Sequence, residues 1–425
     1  RDTGTVLVQF FFSAYNTEKV VPKYNGNISE IDWKTAYASN EPLRRYGYIY
    51  DGLDRLKAAY YNDYSKAKKD EFFEKLTYDL NGNISTLKRS SQFNTTASNI
   101  IDDLAYAYSG NQLVIVRDAS YKSDGYPWVS SIQEKNNMYD SNGNMISEEN
   151  KKIAKISYNF LDLVNFVVQR KVINSASSTE TNINNVYRAD GVKVLKRNDT
   201  KSTKSQRTGL STSTKTTITE YLDGFQYEND VLQFVPTAEG YYDFINGRYV
   251  YQYKDQTGNV RVSYYRDSNN LAVIDKETNY YPLGLEHSYN PTSQANENYN
   301  YAFQSQEKQE IGDWLSFKWR NYDPTIGRFF NVDPLSEKYA YQSHYNFSEN
   351  RLIDAVELEG LESKQVQEID RLGETAVGSN GAKFVGENVD GKVEAVGQIQ
   401  EVTLTGTRGN GFYRESGSYK DGWAG

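Results

Sequence analysis

Short segments in which apolar and polar residues alternate recur along this 425-residue chain, and polar turn sequences separate them. Alternation with a period of two is typical of β-strands that bury one face. Many of the turns follow a tyrosine and contain Asn-Gly or Asp-Gly, which supply the positive φ values that tight hairpins need. The clearest copies of this unit lie at residues 24–28, 78–84 and 139–145, and weaker copies at 50–56, 108–113, 187–193 and 253–260.

A hairpin of this kind cannot bury its own apolar face, so successive units must stack on one another. The repeat therefore predicts an all-β chain with a continuous, strongly curved antiparallel sheet and almost no helix before Asp313. Hairpin tips are predicted at Asn81-Gly82 and at Asn142-Gly143. The aspartates that follow repeat tyrosines are interpreted as turn formers and not as ligands; they are Asp51, Asp79 and Asp140. An unrelated all-β protein with many hairpins is the alternative.

Two segments depart from the alternation. Residues 196–219 are rich in Ser, Thr and Lys, which predicts a mobile, solvated hairpin loop. Beyond Leu361 aromatic residues become rare, and only residues 401–408 alternate like a strand. This tail is too short and too polar to predict an independent core.

Composition narrows the function classes. The chain has 37 Tyr and 18 Phe but no Cys, so disulfides and thiolate metal sites are excluded. The net charge of −8 does not indicate the basic surface that binding to nucleic acid requires. No run of about 18 apolar residues is present, so no membrane-spanning helix is predicted. The sequence contains no Ser-His-Asp order, no histidine-rich metal spacing and no phosphate-binding glycine loop, and no cofactor is expected.

Residues 320–334 are the most informative stretch for chemistry. Asp323 and Asp333 are ten positions apart (333 − 323), each precedes a proline, and Gly327-Arg328 lies between them. Proline restricts the backbone, so each Asp-Pro starts a rigid turn that holds its carboxylate in one direction. Two such carboxylates near Arg320 or Arg328 can form an acid/base pair that shares one proton. We expect Arg320 or Arg328 to lie within ion-pair reach of one of these aspartates. Two Asp-capped turns between short strands are the alternative, which holds if both aspartates face bulk water more than about 10 Å apart.

This segment resembles the core domain associated with RHS (YD-repeat) proteins, a family that includes bacterial polymorphic toxins, the C components of insecticidal toxin complexes and animal teneurins. The family pattern is roughly R-x-Y-D-P-x-x-G-R-F/W-x-x-x-D-P, and the matching residues are Arg320, Tyr322, Asp323, Pro324, Gly327, Arg328, Phe329, Asp333 and Pro334. Residues 279–287, 221–227 and 255–261 are similar to segments of versions from Bacteroidetes-like bacteria. The resemblance covers roughly residues 20–361.

The resemblance implies YD/RHS-repeat hairpins forming a curved, spiralling antiparallel sheet, here a partial β-cocoon shell, with a C-terminal core domain. In the toxins the core domain cuts the chain after a D-P-x-G-L motif, by aspartates with an arginine nearby. Matched by position, the candidate residues are Asp323, Asp333, Arg320 and Arg328, and the cleavage motif falls on Glu357-Leu-Glu-Gly-Leu361, with Gly360 and Leu361 at the cut.

The chain departs from the family pattern around this motif. Glu357 replaces the aspartate, Leu358 replaces the following proline, and Arg351 replaces the proline of an upstream Asn-Pro. A glutamate adds a methylene and moves its carboxylate by roughly 1 Å, and such a displacement can cost about 100-fold in rate. We therefore predict slow or absent aspartyl-type self-cleavage, with Glu357 as part of the candidate site, and no external substrate.

Three segments are predicted: a YD/RHS-repeat shell at 1–278, a core domain at 279–361 and a variable tail at 362–425. The main hypothesis is the shell and core portion of a secreted or surface-exposed bacterial RHS-type protein that encapsulates or presents its own C-terminal segment. Further parts of a longer parent chain, an immunity protein and secretion machinery are the other partners considered. The alternatives are a non-catalytic adhesion or structural module at the cell surface and, more weakly, a tail that is itself an effector enzyme.

Overall fold

A computed structural model describes residues 2–5, 7–11, 20–21, 23, 25–35, 42–63, 71–92, 99–130, 136–207, 209–288, 299–365, 375–377, 383–389, 392–397 and 403–406. Within these residues the chain is all-β and contains no α-helix. Two single 3₁₀ turns, Phe303–Ser305 and Ser348–Asn350, are its helical elements. The predicted fold class, and the near absence of helix before Asp313, are confirmed.

The first large sheet is an antiparallel meander of eight strands in chain order. They are β2 (Leu7–Phe11), β3 (Glu30–Lys34), β4 (Arg44–Tyr50), β5 (Leu56–Asp63), β6 (Glu74–Tyr78), β7 (Ile84–Ser90), β8 (Ile100–Ser109) and β9 (Gln112–Asp118).

The second large sheet has eleven antiparallel strands, again in chain order. They are β12 (Ile153–Tyr158), β13 (Val164–Asn174), β14 (Ser177–Tyr187), β15 (Lys193–Gln206), β16 (Gly209–Leu222), β17 (Phe225–Glu228), β18 (Val231–Thr237), β19 (Gly240–Asp243), β20 (Arg248–Lys254), β21 (Val260–Arg266) and β22 (Ala272–Glu277).

The remaining strands form small ladders, all antiparallel. They are β10 (Met138–Tyr139) with β11 (Met145–Ser147); β23 (Glu307–Lys308), β24 (Leu315–Ser316), β25 (Asn321–Asp323) and β26 (Arg328–Phe329); β27 (Ala355–Leu358) with β28 (Glu362–Gln365); β29 (Thr375–Val377), β30 (Lys383–Val389) and β31 (Lys392–Gly397); and β1 (Asp2–Thr5) with β32 (Thr403–Gly406). The strand expected within residues 401–408 is β32.

The prediction of one continuous sheet is wrong, because β9 and β12 belong to different sheets with the β10–β11 ladder between them. After β9 the chain leaves the ladder and buries Tyr126 instead. The Tyr126 N–H donates to Asp102 at 2.7 Å, and its hydroxyl donates to Glu148 at 3.2 Å. The chain therefore satisfies two buried carboxyl groups at this point and returns to β9 only at Asn137, whose N–H donates to the Val114 carbonyl at 2.8 Å.

The repeat tyrosines and aspartates have separate roles in each hairpin. The Asp79 carboxylate accepts the N–H groups of Asn81 and Asn83, both at 2.9 Å, and so closes its own turn. The Tyr78 hydroxyl donates at 2.6 Å to the Leu56 carbonyl, which follows the preceding turn. The same backward bond joins Tyr50 to Ile28, Tyr108 to Ile84, Tyr139 to Leu113 and Tyr187 to Val164.

Each of these five units is thus tied to the one before it by a tyrosine hydroxyl. The predicted tips at Asn81-Gly82 and Asn142-Gly143 are confirmed, with φ of 81° at Gly82 and 90° at Gly143. The predicted turn-forming roles are confirmed for Asp79 and likewise for Asp51 and Asp140.

Residues 196–219 are not a loop, contrary to the prediction. β15 and β16 pair in register from Leu195 and Glu220 to Gln206 and Gly209. Threonine is β-branched and favours extended backbone, so a Ser/Thr-rich composition is compatible with a long exposed hairpin. Its base is anchored, because the buried Lys196 ammonium forms a 3.0 Å ion pair with Glu307.

The hydrophobic core joins both large sheets to the segment that follows them. One cluster unites strands of the first sheet with later aromatic residues, among them Tyr281, Phe303, Tyr322, Phe329 and Phe347. A second cluster unites β12–β14 with Ile311, Trp314 and Phe330. The segment after β22 is therefore packed against both sheets.

The same segment bonds directly to the hairpin tips of the first sheet and of the β10–β11 ladder. The main-chain carbonyls of the tips accept hydrogen bonds from donors in this segment. These bonds are Ser343 N to Asn81 at 2.9 Å, Asn350 Nδ2 to Gly82 at 3.0 Å, Arg328 Nη2 to Asn111 at 2.8 Å and Tyr345 Oη to Gly143 at 2.6 Å. The positive-φ glycine turns are thus both hairpin tips and docking points.

Candidate functional site

Arg320 is the centre of the candidate site. It is the last residue of a turn between β24 and β25. The Phe317 N–H donates to the Arg320 carbonyl at 3.0 Å and so closes this turn. Its guanidinium stacks on the Phe329 ring, 3.8 Å from the centroid. Arg320 is 2% exposed, so its charge must be compensated inside the protein.

Four acceptors surround this guanidinium, one of them the His344 carbonyl, 3.5 Å from Nη1. Nη1 lies 3.2 Å from Asp333 Oδ2, and Nη2 lies 3.3 Å from Glu357 Oε1. Nε donates to the main-chain carbonyl of Gly360. The planar fork of arginine can serve several acceptors at once, which a lysine ammonium does less well. The predicted ion pair between a core arginine and a core aspartate is therefore present, as Arg320 with Asp333.

Glu357 is held from three sides. Its Oε2 accepts the Ser348 N–H at 2.8 Å, and the Ser348 hydroxyl lies 3.4 Å away. The Glu357 N–H donates to Gln304 Oε1 at 3.1 Å. Together with Arg320, these contacts fix both the backbone and the carboxyl group of a residue that is 4% exposed.

Asp333 closes a turn and faces Arg320 at the same time. Its Oδ1 accepts the Leu335 N–H at 2.8 Å, as expected for an aspartate before a proline. Its own N–H donates to the His344 carbonyl at 3.1 Å. The second carboxyl oxygen is thereby directed at Arg320.

One cation here serves two buried carboxyl groups. Burial raises the pKa of Asp333 and the pKa of Glu357, while Arg320 opposes the rise in each case. Asp333 also raises the pKa of Glu357, because two negative charges near each other are unfavourable. Two carboxyl groups with raised pKa values beside one cation are an arrangement in which an acid/base pair can form.

The predicted cleavage motif forms a tight turn beside Arg320. The Leu361 N–H donates to the Leu358 carbonyl at 2.9 Å, with φ of 55° at Glu359 and 81° at Gly360. A Cβ at Gly360 would lie 3.1 Å from the main-chain nitrogen of Arg320. Both the positive φ and this close packing therefore require glycine. The Trp319 N–H donates to the Glu359 carbonyl at 3.0 Å. The 317–320 turn therefore holds the 358–361 turn.

Asp323 lies in a different environment. Its carboxylate accepts the Thr325 N–H at 3.0 Å and forms a 2.6 Å ion pair with Lys151. Neighbouring Glu148 has its pKa raised to about 7, first by burial and further by Asp323, while Lys151 lowers it. Asp323 thus belongs to a second buried cluster, and no described ion pair joins it to Arg320.

Arg328 is also outside the site. Its guanidinium donates to the Asn111 carbonyl and lies over the rings of Tyr108 and Tyr345, at 5.0 and 4.9 Å from their centroids. Of the predicted residues, the structure brings together Arg320, Asp333, Glu357, Gly360 and Leu361. Asp323 and Arg328 lie apart from them, where Asp323 pairs with Lys151 and Arg328 donates to the Asn111 carbonyl.

Sequence reasoning missed Ser348 and Gln304, which position Glu357. Both lie in the left-handed region, with φ of 44° and 45°, although neither is a glycine. Nothing in their residue types signals this conformation. Within the described residues, no group of three His, Cys, Asp or Glu side chains is arranged to hold a metal ion. In that same part of the chain, no helix has the length and apolar character needed to cross a membrane.

Comparison with models of protein families gives no match. A curated relative, salivary gland surface protein 1 of Aedes aegypti, is 24% identical over 269 residues, which is 61% of this chain and 7% of that protein. The chain therefore spans less than a tenth of the length of that relative.

Solved structures of toxin complexes are similar at low identity. The crystal structures of TcdB2-TccC3-TEV and TcdB2-TccC3 are 15% identical, cover 84% of this chain and 18% and 19% of theirs, and have TM-scores of 0.48 and 0.49. The Tc holotoxin pore of Photorhabdus luminescens, with a mutation in TccC3, is 16% identical, covers 84% of this chain and 18% of its own, and has a TM-score of 0.45. The chain spans less than a fifth of each of these.

Proposed function

We propose that this chain is the shell and core portion of an RHS-type protein that encloses or presents its own C-terminal segment, residues 362–425, and that cuts itself slowly after Leu361. The observation that carries this proposal is that one buried arginine, Arg320, joins Asp333 and Glu357 to the Gly360 carbonyl. A buried acid pair attached to a strained turn of the same chain fits hydrolysis of that turn.

The proposed reaction is hydrolysis of the peptide bond between Leu361 and Glu362. The ionised carboxyl group, assigned to Asp333, removes a proton from a water molecule whose oxygen attacks the Leu361 carbonyl carbon. The protonated carboxyl group, assigned to Glu357, gives its proton to the departing Glu362 nitrogen. Arg320 orients both carboxyl groups and holds the turn through Gly360. In this proposal Asp323 and Arg328 anchor the core and do not react.

Slow cleavage follows from the residues at the turn. Glu357 and Leu358 occupy the positions of an Asp-Pro in the resembling family. The longer side chain places its carboxyl group differently, and leucine leaves the backbone less restricted than proline does.

The proposed organisation is a shell at 1–278, a core domain at 279–361 and a tail at 362–425. Tail strands pair with earlier parts of the chain, since β28 pairs with β27 and β32 pairs with β1. We place the protein outside a bacterial cell or on its surface. Its partners would be its own tail, further parts of a longer parent chain, and an immunity protein or secretion machinery.

A non-catalytic surface module is the second candidate. The 24% identity over 269 residues to a salivary gland surface protein favours it. In that case the Arg320 cluster would only stabilise the core.

Intact mass under denaturing conditions separates the two. A self-cleaving carrier slowly accumulates a fragment of about 64 residues (425 − 361), and Asp333→Asn stops its formation. A structural module stays whole in both forms.

A further inference from the structure

Glu357 is connected to a hairpin tip that lies 275 positions earlier in the chain (357 − 82). The connection begins at Ser348, whose N–H donates to Glu357 Oε2 at 2.8 Å. It continues through Asn350, whose Nδ2 donates to the Gly82 carbonyl at 3.0 Å. Ser348 and Asn350 are the two ends of a single 3₁₀ turn, so the tip and the carboxyl group are joined through one short backbone segment.

That turn has an unusual backbone. Ser348, Glu349 and Asn350 have φ of 44°, 53° and 63°, three successive non-glycine residues in the left-handed region. This conformation is unfavourable for each of them and persists only where surrounding contacts impose it. Ser348 and Asn350 are 1% and 4% exposed, so those contacts are inside the protein.

The Gly82 tip supplies contacts of this kind. Besides the bond from Asn350, the Asn81 carbonyl accepts the Ser343 N–H at 2.9 Å. A Cβ added at Gly82 would lie 3.0 Å from Asn346 Nδ2 and 3.3 Å from Asn350 Nδ2. The core segment is therefore closely packed on this tip, and no side chain fits between them without displacement.

A second, independent connection reaches the backbone of Glu357. Its N–H donates to Gln304, which also has a left-handed backbone, with φ of 45°. The Gln304 N–H donates to Asn259 Oδ1 at 2.8 Å, and the Ser305 hydroxyl donates to the Gly258 carbonyl at 3.0 Å. Glu357 is thus positioned by two left-handed turns, each bonded to a hairpin tip of a different large sheet.

We propose that the Asn81-Gly82 tip controls the position of the Glu357 carboxyl group through the Ser348–Asn350 turn, which makes Ser348 and Asn350 positioning residues for the candidate proteolytic centre. This inference rests on the proposed self-cleavage for its function. Its consequence is that the acid pair is assembled only when the core is seated on folded hairpins. A partly folded chain would not cut its own tail.

The chain provides a matched pair of tip variants. Gly82→Ala introduces a Cβ at φ +81° against Asn346 and Asn350, whereas Gly110→Ala introduces one at φ +60° with nothing within 4 Å. Both strain a tip, and the tip of Gly110 also carries a core contact, from Arg328 to Asn111. Only the Gly82 tip bonds directly to the Ser348–Asn350 turn, whereas the Gly110 tip reaches it indirectly, because the Asn111 side chain accepts from Asn81 and Asn83.

A second matched pair removes one bond between core and tip. Asn350→Gly tolerates the left-handed backbone and loses the bond to Gly82. Tyr345→Phe loses the 2.6 Å bond to Gly143, at a tip for which no bond to the Ser348–Asn350 turn is described.

Hydrogen exchange of the Ser348 amide tests the connection without requiring cleavage. We expect exchange to be roughly tenfold faster in Gly82→Ala and Asn350→Gly, because loosening the turn exposes this amide. Tyr345→Phe should leave it unchanged, and Gly110→Ala should change it less than Gly82→Ala does. Equal exchange in all four variants would overturn the proposal.

Cleavage is measured in the same four proteins by denatured intact mass, in the Glu357→Asp, Leu358→Pro background if the native chain cuts too slowly. Gly82→Ala and Asn350→Gly should slow it by about tenfold relative to their controls. If cleavage occurs at the same rate in each matched pair, the positioning role is overturned. If the Ser348 amide responds as expected and no protein is cut, the connection stands and the proposed self-cleavage fails.

Discussion

Arg320 and Glu357 form a 3.3 Å ion pair between side chains that are 2% and 1% exposed. The partners are 37 residues apart, on different sides of the aromatic stretch that contains Tyr345 and Phe347. Asp333 completes the cluster from a third segment. A buried cluster built from three separate segments depends on the tertiary fold, and its removal should therefore affect stability as well as chemistry.

Arg320→Gln removes the only described cation of this cluster and leaves two buried carboxyl groups uncompensated. We expect the free energy of unfolding to fall by about 3–5 kcal/mol near neutral pH. The loss should shrink in acid, where both carboxyl groups take up protons. Urea denaturation at two pH values measures this.

Arg170→Gln is the matched control for that variant. It breaks the Arg170–Glu180 pair, whose 2.7 Å contact lies between side chains that are 65% and 38% exposed. Exposed pairs of this kind contribute at most about 1 kcal/mol. A loss of similar size in both variants would show that Arg320 is not the electrostatic centre of the core.

The backward hydroxyl bond of the repeat tyrosines predicts a position-specific loss. Tyr78→Phe leaves the Leu56 carbonyl without its 2.6 Å donor and should cost about 1–3 kcal/mol of stability. Tyr249→Phe, at a site 56% exposed, should change stability by less than about 0.5 kcal/mol. Thermal unfolding of both variants compares them, and equal shifts would contradict the role of the hydroxyl.

Asp79, the aspartate that follows a repeat tyrosine, should tolerate asparagine better than alanine. Asn159 occupies the equivalent turn position and accepts the Leu161 and Leu163 N–H groups at 2.9 and 3.1 Å, as Asp79 does in its own turn. Asp79→Asn keeps this acceptor but loses the oxygen that accepts Asn83 Nδ2 at 2.9 Å, so it should cost less than Asp79→Ala, which leaves two turn N–H groups without an acceptor and should cost about 1–2 kcal/mol. Equal destabilisation by both substitutions would show that charge, and not the acceptor, is required.

Glu148 predicts a pH dependence of stability. Its pKa is raised from 4.5 to about 7 in the folded protein, chiefly by burial. Neutral Glu148 is therefore favoured by folding, so its contribution is fully present below about pH 4.5 and is lost as the pH rises through 7.

Glu148→Gln removes this titration while keeping an acceptor for the Tyr126 hydroxyl. When the pH is raised from about 5 to about 8, the free energy of unfolding of the variant should rise by up to about 3 kcal/mol relative to that of the native protein. One pKa unit corresponds to about 1.4 kcal/mol. Denaturation series at the two pH values provide the comparison. A stability difference that does not change with pH would contradict the predicted titration of Glu148.

Local turn chemistry was readable from the sequence. Asn-Gly and Asp-x-Asn-Gly segments determined the tips at Gly82 and Gly143, because only residues that tolerate positive φ fit there. The break between β9 and β12 was not readable, since it depends on Tyr126 bonding to Asp102 and Glu148, which are distant in sequence. Residues 196–219 were misassigned because a Ser/Thr-rich composition suits both loops and exposed strands.

The candidate site was only partly readable. Arg320 and Asp333 were found by their pattern, but the same pattern also included Asp323 and Arg328, which the fold directs elsewhere. Ser348 and Gln304 were invisible, because left-handed backbone at a serine or a glutamine is imposed by packing and leaves no compositional signal.

The intact mass of denatured protein over time tests the Arg320-centred cleavage site most directly. The unchanged chain should be cut slowly or not at all. Glu357→Asp with Leu358→Pro should accelerate release of the fragment of about 64 residues (425 − 361), and adding Asp333→Asn should abolish it. No fragment from the restored variant, or an unchanged fragment after Asp333→Asn, would contradict aspartyl self-cleavage and leave the core as a structural cap.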